Sequence, residues 1–240
     1  MRTRRIALRR QSLLVLVVLL LPTIGLTAGL VLAARPRASD ASVRDGLRMY
    51  AAAQSLNSLV LSSSSATATL QQWCADHKLA PDPVIVAKSV AGAEHAVTSE
   101  QRATLKIGPQ ERVAYRQVRL MCGRRLLSVA ENWYVPSRLT PEMNRQLETT
   151  NMPFGTVVKS LNPNRITLAA DFVWHVLPSD WDRRSDTSLR RWLARHRSEV
   201  VFREDRTLVV HEAVVNRSDA LPISLVHENY KQGLLAFDAR

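Results

Sequence analysis

Residues 116–155 read RQVRLMCGRRLLSVAENWYVPSRLTPEMNRQLETTNMPFG, and the fold is decided there. Arg116, Val118 and Leu120 alternate with Gln117, Arg119 and Met121, the period of a strand with one apolar face interrupted by an arginine. Gly123, between Cys122 and Arg124, can take the positive φ of a tight turn, so residues 126–135 return as the partner strand until Pro136 stops it. Thr140, Pro141 and Glu142 supply an N-cap, a proline for the first helical position and an acid for the first turn, which predicts a helix to about Glu148. Pro153-Phe154-Gly155 then turns the chain into its second half.

Working outward to the amino terminus, Arg2, Arg4, Arg5, Arg9 and Arg10 precede residues 11–34, which contain no charged side chain. As a helix those 24 residues would extend about 36 Å, enough for a hydrocarbon core. We expect a basic cytoplasmic n-region at 1–10, an uncleaved anchor at 11–34 in preference to a cleaved signal or a buried core helix, and a polar linker at 35–45. The remainder, 46–240, is then a domain held on the extracytoplasmic side of the inner membrane by a single pass. The chain of 240 residues is 46% hydrophobic, sufficient for a real core, and carries a net charge of +12. Because so much of that charge precedes the apolar run, it gives no support for a nucleic-acid partner; protein partners are not legible.

Within 46–240, apolar spacing predicts helices at 47–61 and 66–77, the second closed by Pro81 and Pro83. A short strand at 83–87, a polar loop at 92–110, a bent strand at 165–177 and a basic helix at 183–197 follow. The basic helix is most simply a solvated element docked by Leu189, Trp192 and Leu193, although an anionic surface is an alternative partner. Strands at 200–202, 207–215 and 223–230 complete the pattern. Successive strands with short turns favour an α+β fold, about six antiparallel strands with helices packed on one face, preceded by one transmembrane helix.

The chemistry is sparse. Cys74 and Cys122 can form one disulfide in an oxidising compartment or stand as separate buried thiols. Six histidines (His77, His95, His175, His196, His211, His227) show no metal-ligand spacing, so no metal is expected. No GxSxG, Walker or GxGxxG pattern occurs, and no cofactor is expected.

Four segments in order, Arg116–Cys122, Ala130 to Pro136, Met152 to Gly155 and Pro222 to Glu228, resemble the chorismate pyruvate-lyase family and its relatives, among them the effector-binding domains of certain bacterial transcription regulators. The resemblance spans residues 56–235. It implies a six-stranded antiparallel sheet, a buried pocket for a small aromatic acid, and cofactor-free release of pyruvate from chorismate to leave 4-hydroxybenzoate. By the same resemblance Arg116 and Glu228 are the catalytic candidates. Arg116 meets a substrate carboxylate, Phe154 and Gly155 line the pocket at a turn where the family carries leucine, and Glu228 faces the ring-hydroxyl end. On physical grounds Arg116 is either such an anchor or the partner of a structural carboxylate such as Glu228, and Glu228 is either a proton-transfer group or that partner. Whether the chain is an enzyme stays open; the alternative is a non-enzymatic envelope domain that binds a small aromatic or other carboxylate ligand.

Overall fold

The computed structural model describes residues 38–237. The n-region and span expected at 1–34 lie outside the described residues. Among the described residues no helix is long and apolar enough to cross a membrane, and on that finding the expected single-pass inner-membrane placement is corrected.

Six strands build one antiparallel sheet: β1 (Ile85–Ser89), β2 (Ala114–Cys122), β3 (Arg125–Tyr134), β4 (Asn164–Phe172), β5 (Thr207–Asn216) and β6 (Pro222–Lys231), in the order β1-β2-β3-β6-β5-β4. The α+β class and the six-stranded antiparallel sheet are as expected. The β2–β3 hairpin pairs Arg116 with Asn132 and Cys122 with Arg125. Gly123 closes it at φ +55°, and a Cβ there would stand 2.8 Å from that of Ala80, so the turn needs glycine for its conformation and for its space.

Among the described residues seven α-helices accompany the sheet: α1 (Ala38–Leu61), α2 (Ala66–Asp76), α3 (Ser99–Thr104), α4 (Pro141–Thr149), α5 (Phe154–Val157), α6 (Asp186–Arg195) and α7 (Arg197–Val200). Their starts follow local chemistry. Ser65 accepts from Ala68 N–H at the head of α2, and Thr140 accepts from Met143 N–H at the head of α4, with Pro141 in the first turn. The apolar faces of α1 (Ala53, Leu56, Val60) and α2 (Leu70, Trp73, Cys74) bury against Val118, Leu120 and Tyr230 of the sheet. Met143 and Leu147 of α4 join Phe154 and Val157 of α5 over Tyr134, Ala213 and Val226.

Helices do not keep to one face, as the sequence pattern suggested. The α3 segment ends in the fully buried Leu105, which packs with Trp133, Val214 and Leu225 on the opposite side of the sheet. That segment was expected as loop because it is short and polar. Its signal is the reciprocal pair of Thr98 and Gln101, each side chain accepting from the other's backbone N–H. The run Val200-Val201-Phe202 is not a strand: α7 ends at Val200, and Val201 and Phe202 are exposed. Helix α1 begins inside the expected linker, and β4 stops at Phe172.

Two buried links tie the helical layer to the sheet. Cys74 of α2 and Cys122 of β2 form a disulfide across 48 residues of chain. His211 of β5, wholly buried, donates from Nε2 to Asn57 Oδ1 of α1 at 2.7 Å, and its Nδ1 lies 3.4 Å from the Arg165 guanidinium, positioned to accept from it. Burial and then the neighbouring Arg165 cation depress its pKa to about 4.

Replacing both cysteines by alanine should cost roughly 4 kcal/mol on the chain-entropy estimate for a loop of this length; denaturant titration in the absence of reductant measures it. His211 binds its proton less readily folded than unfolded, so its contribution is complete above the unfolded pKa of about 6.5 and is lost as pH falls towards about 4. Urea unfolding at pH 7 and pH 5 should show a loss of roughly 2 kcal/mol from this residue, and His211→Gln should flatten that slope.

Candidate functional site

The helix-covered face of the sheet carries an unusual load of buried polar side chains: Arg116, Ser128, Asn132, Arg165, His211 and Glu228 are each under a tenth exposed. Such groups are costly to bury unless they are partnered. Arg165 and Glu228 partner each other, with N–O separation of 2.7 Å. Glu228 Oε2 also accepts from Tyr230 Oη–H at 3.0 Å, and a second Arg165 nitrogen donates to Thr167 Oγ1 at 2.7 Å. Burial alone would lower the Arg165 pKa, but the Glu228 carboxylate outweighs it and holds the guanidinium above its ordinary value. Burial pushes the Tyr230 phenol well up, and the Glu228 charge adds to that.

This pair forms part of the wall of an inner chamber of about 50 Å³ between the sheet and the helices. Val118, Leu120 and Phe154 line it with apolar surface, and Asn132, Arg165 and Glu228 line it with polar groups. Several polar groups of this face are incompletely used: Arg116 Nε, Ser128 Oγ and Arg165 Nε are buried without a hydrogen-bond partner among the described residues. The Asn132 amide, on a residue 4% exposed, makes no hydrogen bond to another described residue, and Glu228 Oε1 accepts none. The chamber shares Ser64, Ser65, Thr67, Gly155 and Pro163 with an outer cleft of about 540 Å³, which also takes in Lys159 and Asn162. At their junction α5 crosses the head of α2 so closely that a Cβ on Gly155 would come within 2.8 Å of Thr67 Oγ1. Glycine is what lets the two helix starts meet there.

The residues singled out in the sequence divide into two groups. Phe154, Gly155 and Glu228 line the chamber together. Arg116 does not: its guanidinium donates to the main-chain oxygens of Met152 at 3.1 Å and Thr150 at 3.3 Å. It fixes the segment that delivers Pro153 and Phe154, it forms no ion pair among the described residues, and Glu228 takes Arg165 instead. Burial lowers the Arg116 pKa, with Tyr134 acting in the other direction. Cys74 and Cys122 lie together away from the chamber lining.

Sequence reasoning missed Arg165 and Asn132. Both had a signal. Asn132 shares its strand parity with Ala130 and Tyr134, both buried, and it stands opposite Arg116 in the hairpin register. Arg165 opens the strand just after the Asn162-Pro163-Asn164 turn, and only the burial of the whole sheet face shows that it points inward.

No protein-family model matches the chain. Among solved structures it is similar to the effector domain of PhnF from Mycobacterium smegmatis, at 13% identity and a TM-score of 0.41 over 62% of this chain and 81% of that one. A structure of PhnF itself matches at 14% identity and a TM-score of 0.42, over 65% of this chain and 62% of that one. The C-terminal domain of the histidine utilization repressor from Pseudomonas syringae pv. tomato matches at 10% identity and a TM-score of 0.38, over 65% of this chain and 98% of that one. A much nearer relative in sequence is the uncharacterized protein y4mC of Sinorhizobium fredii, 43% identical over 187 residues, 78% of this chain and 76% of the relative. At that identity and coverage, the chain belongs to the same family as the y4mC protein.

Proposed function

We propose that this chain is a small-molecule-binding domain whose ligand, a small aromatic or other carboxylic acid, enters the outer cleft and presents a hydroxyl-like group to the inner chamber. The observation that carries this reading is that Asn132, whose amide makes no hydrogen bond to another described residue, and Glu228 line the same chamber. The amide and the carboxylate oxygen both keep access to the chamber, where a ligand hydroxyl would donate to the carboxylate and accept from the amide. The outer cleft, at about 540 Å³, falls within the range of about 300–1,000 Å³ common to small-molecule sites.

Binding without turnover fits these groups better than chorismate cleavage. The inner chamber is too small for a substituted ring, Arg116 is committed to main-chain oxygens, and Glu228 Oε2 is committed to Arg165 and Tyr230. Cofactor-free lyase activity remains the second reading because Glu228 Oε1 faces the chamber.

Titration calorimetry with 4-hydroxybenzoate tests the proposal. Asn132→Ala should weaken binding about tenfold, about 1.4 kcal/mol, while leaving the melting temperature little changed, since the amide makes no hydrogen bond to another described residue. A fall in melting temperature with no change in affinity would make Asn132 a structural residue. Incubation of the protein with chorismate should release no 4-hydroxybenzoate above a protein-free blank; product that disappears in Glu228→Gln would establish the lyase instead.

A further inference from the structure

The inner chamber is narrow for a definite reason. Its floor is the sheet, where Val118, Leu120 and Val226 present aliphatic side chains, and its one aromatic lining residue is Phe154. That ring is 7% exposed, stands with its centroid 6.0 Å from that of Tyr134, and belongs to the apolar cluster of Met143 and Leu147. It cannot be withdrawn cheaply from so close-packed a setting. Pro153 precedes it with φ at −63°, and the Arg116 guanidinium holds the carbonyls of Thr150 and Met152 just upstream. Gly155, the next residue, is pressed against Thr67 of α2. Helix α5 is four residues long, so these restraints fix its whole start.

The size that results decides what can enter. A cavity of about 150 Å³ takes a benzene ring, whereas the chamber offers about 50 Å³. A hydroxyl fits, and a ring or a branched head does not. The outer cleft, at about 540 Å³, has room for the body of the ligand.

We infer that Phe154 is a specificity residue that makes the chamber a narrow socket for an unhindered hydroxyl head, so that the ligand is a primary alcohol or a phenol free at both ortho positions. This rests on the small-molecule reading above and deepens it by naming the ligand's inner end. Asn132 and Glu228 supply the polar partners on the chamber wall, and Phe154 decides by width which heads reach them.

The test is calorimetric titration of the full-length chain with 4-hydroxybenzoate and two isomers of equal size. One isomer, 4-hydroxy-3,5-dimethylbenzoate, carries its methyl groups beside the hydroxyl; the other, 4-hydroxy-2,6-dimethylbenzoate, carries them beside the carboxylate. The first should bind about tenfold or more weakly than the second, the scale on which a pocket rejects a single misplaced carbon. Phe154→Leu should shrink that gap and Phe154→Ala should abolish it. Met143→Ala, which loosens the same apolar cluster away from the chamber wall, should keep it. Leucine preserves a buried apolar side chain at the site, so the test stands even where the alanine variant fails to fold. Equal affinity for the two isomers, or a gap undiminished in Phe154→Leu, overturns Phe154 as the specificity residue while leaving the small-molecule reading intact. Absence of binding by all three acids removes both.

Discussion

The ion pair of Arg165 and Glu228 is the constraint around which the helical face of the sheet is arranged. Each charge would be strongly destabilising where it lies if the other were absent, because both are shut away from water. The pair is reinforced rather than isolated: Tyr230 donates to Glu228, Thr167 accepts from Arg165, and a neutral His211 stands beside the guanidinium while holding Asn57 of α1. The depressed pKa of His211 belongs to this arrangement, since a second cation next to Arg165 would undo it. Charge pairing, the docking of α1 and the shape of the chamber are therefore one problem with one solution.

That solution leaves a remainder, and the remainder is where function is placed. An all-apolar set of residues at these positions could be as stable as the ion pair, so stability alone does not explain why a polar line crosses the core. Asn132 sharpens the point, because its amide makes no hydrogen bond to another described residue and lines the chamber. Arg116 makes the opposite case. It is also buried, and although its Nε has no partner among the described residues, its two terminal nitrogens donate to the carbonyls of Met152 and Thr150, so its work is to set the path of the chain into Phe154 and Gly155.

The hairpin from Arg116 to Tyr134 was legible because alternation, a glycine turn and a terminating proline all agree, and the same holds for α4 with Thr140 and Pro141 at its start. The α3 segment was not, since its six residues, five of them polar, have no apolar periodicity and only the Thr98–Gln101 capping pair marks them. The exposed Val201 and Phe202 misled in the other direction: a β-branched run predicts a strand only if a neighbouring strand is there to receive it. For the site, Glu228 was legible as a carboxylate in an apolar strand. Its partner was not, because Arg116 and Arg165 are equally good candidates until the register of the sheet shows which one lies within reach.

The central claim is that Asn132 is held in reserve for a ligand, and its side-chain amide can be watched directly. In the full-length chain with asparagine selectively labelled with nitrogen-15, the Asn132 side-chain resonances are assigned by their loss in Asn132→Ala and followed as 4-hydroxybenzoate is added. Saturable movement of that amide pair, together with protection of its protons from exchange with water, is the predicted result. Resonances that stay in place while the acid binds elsewhere would contradict the account.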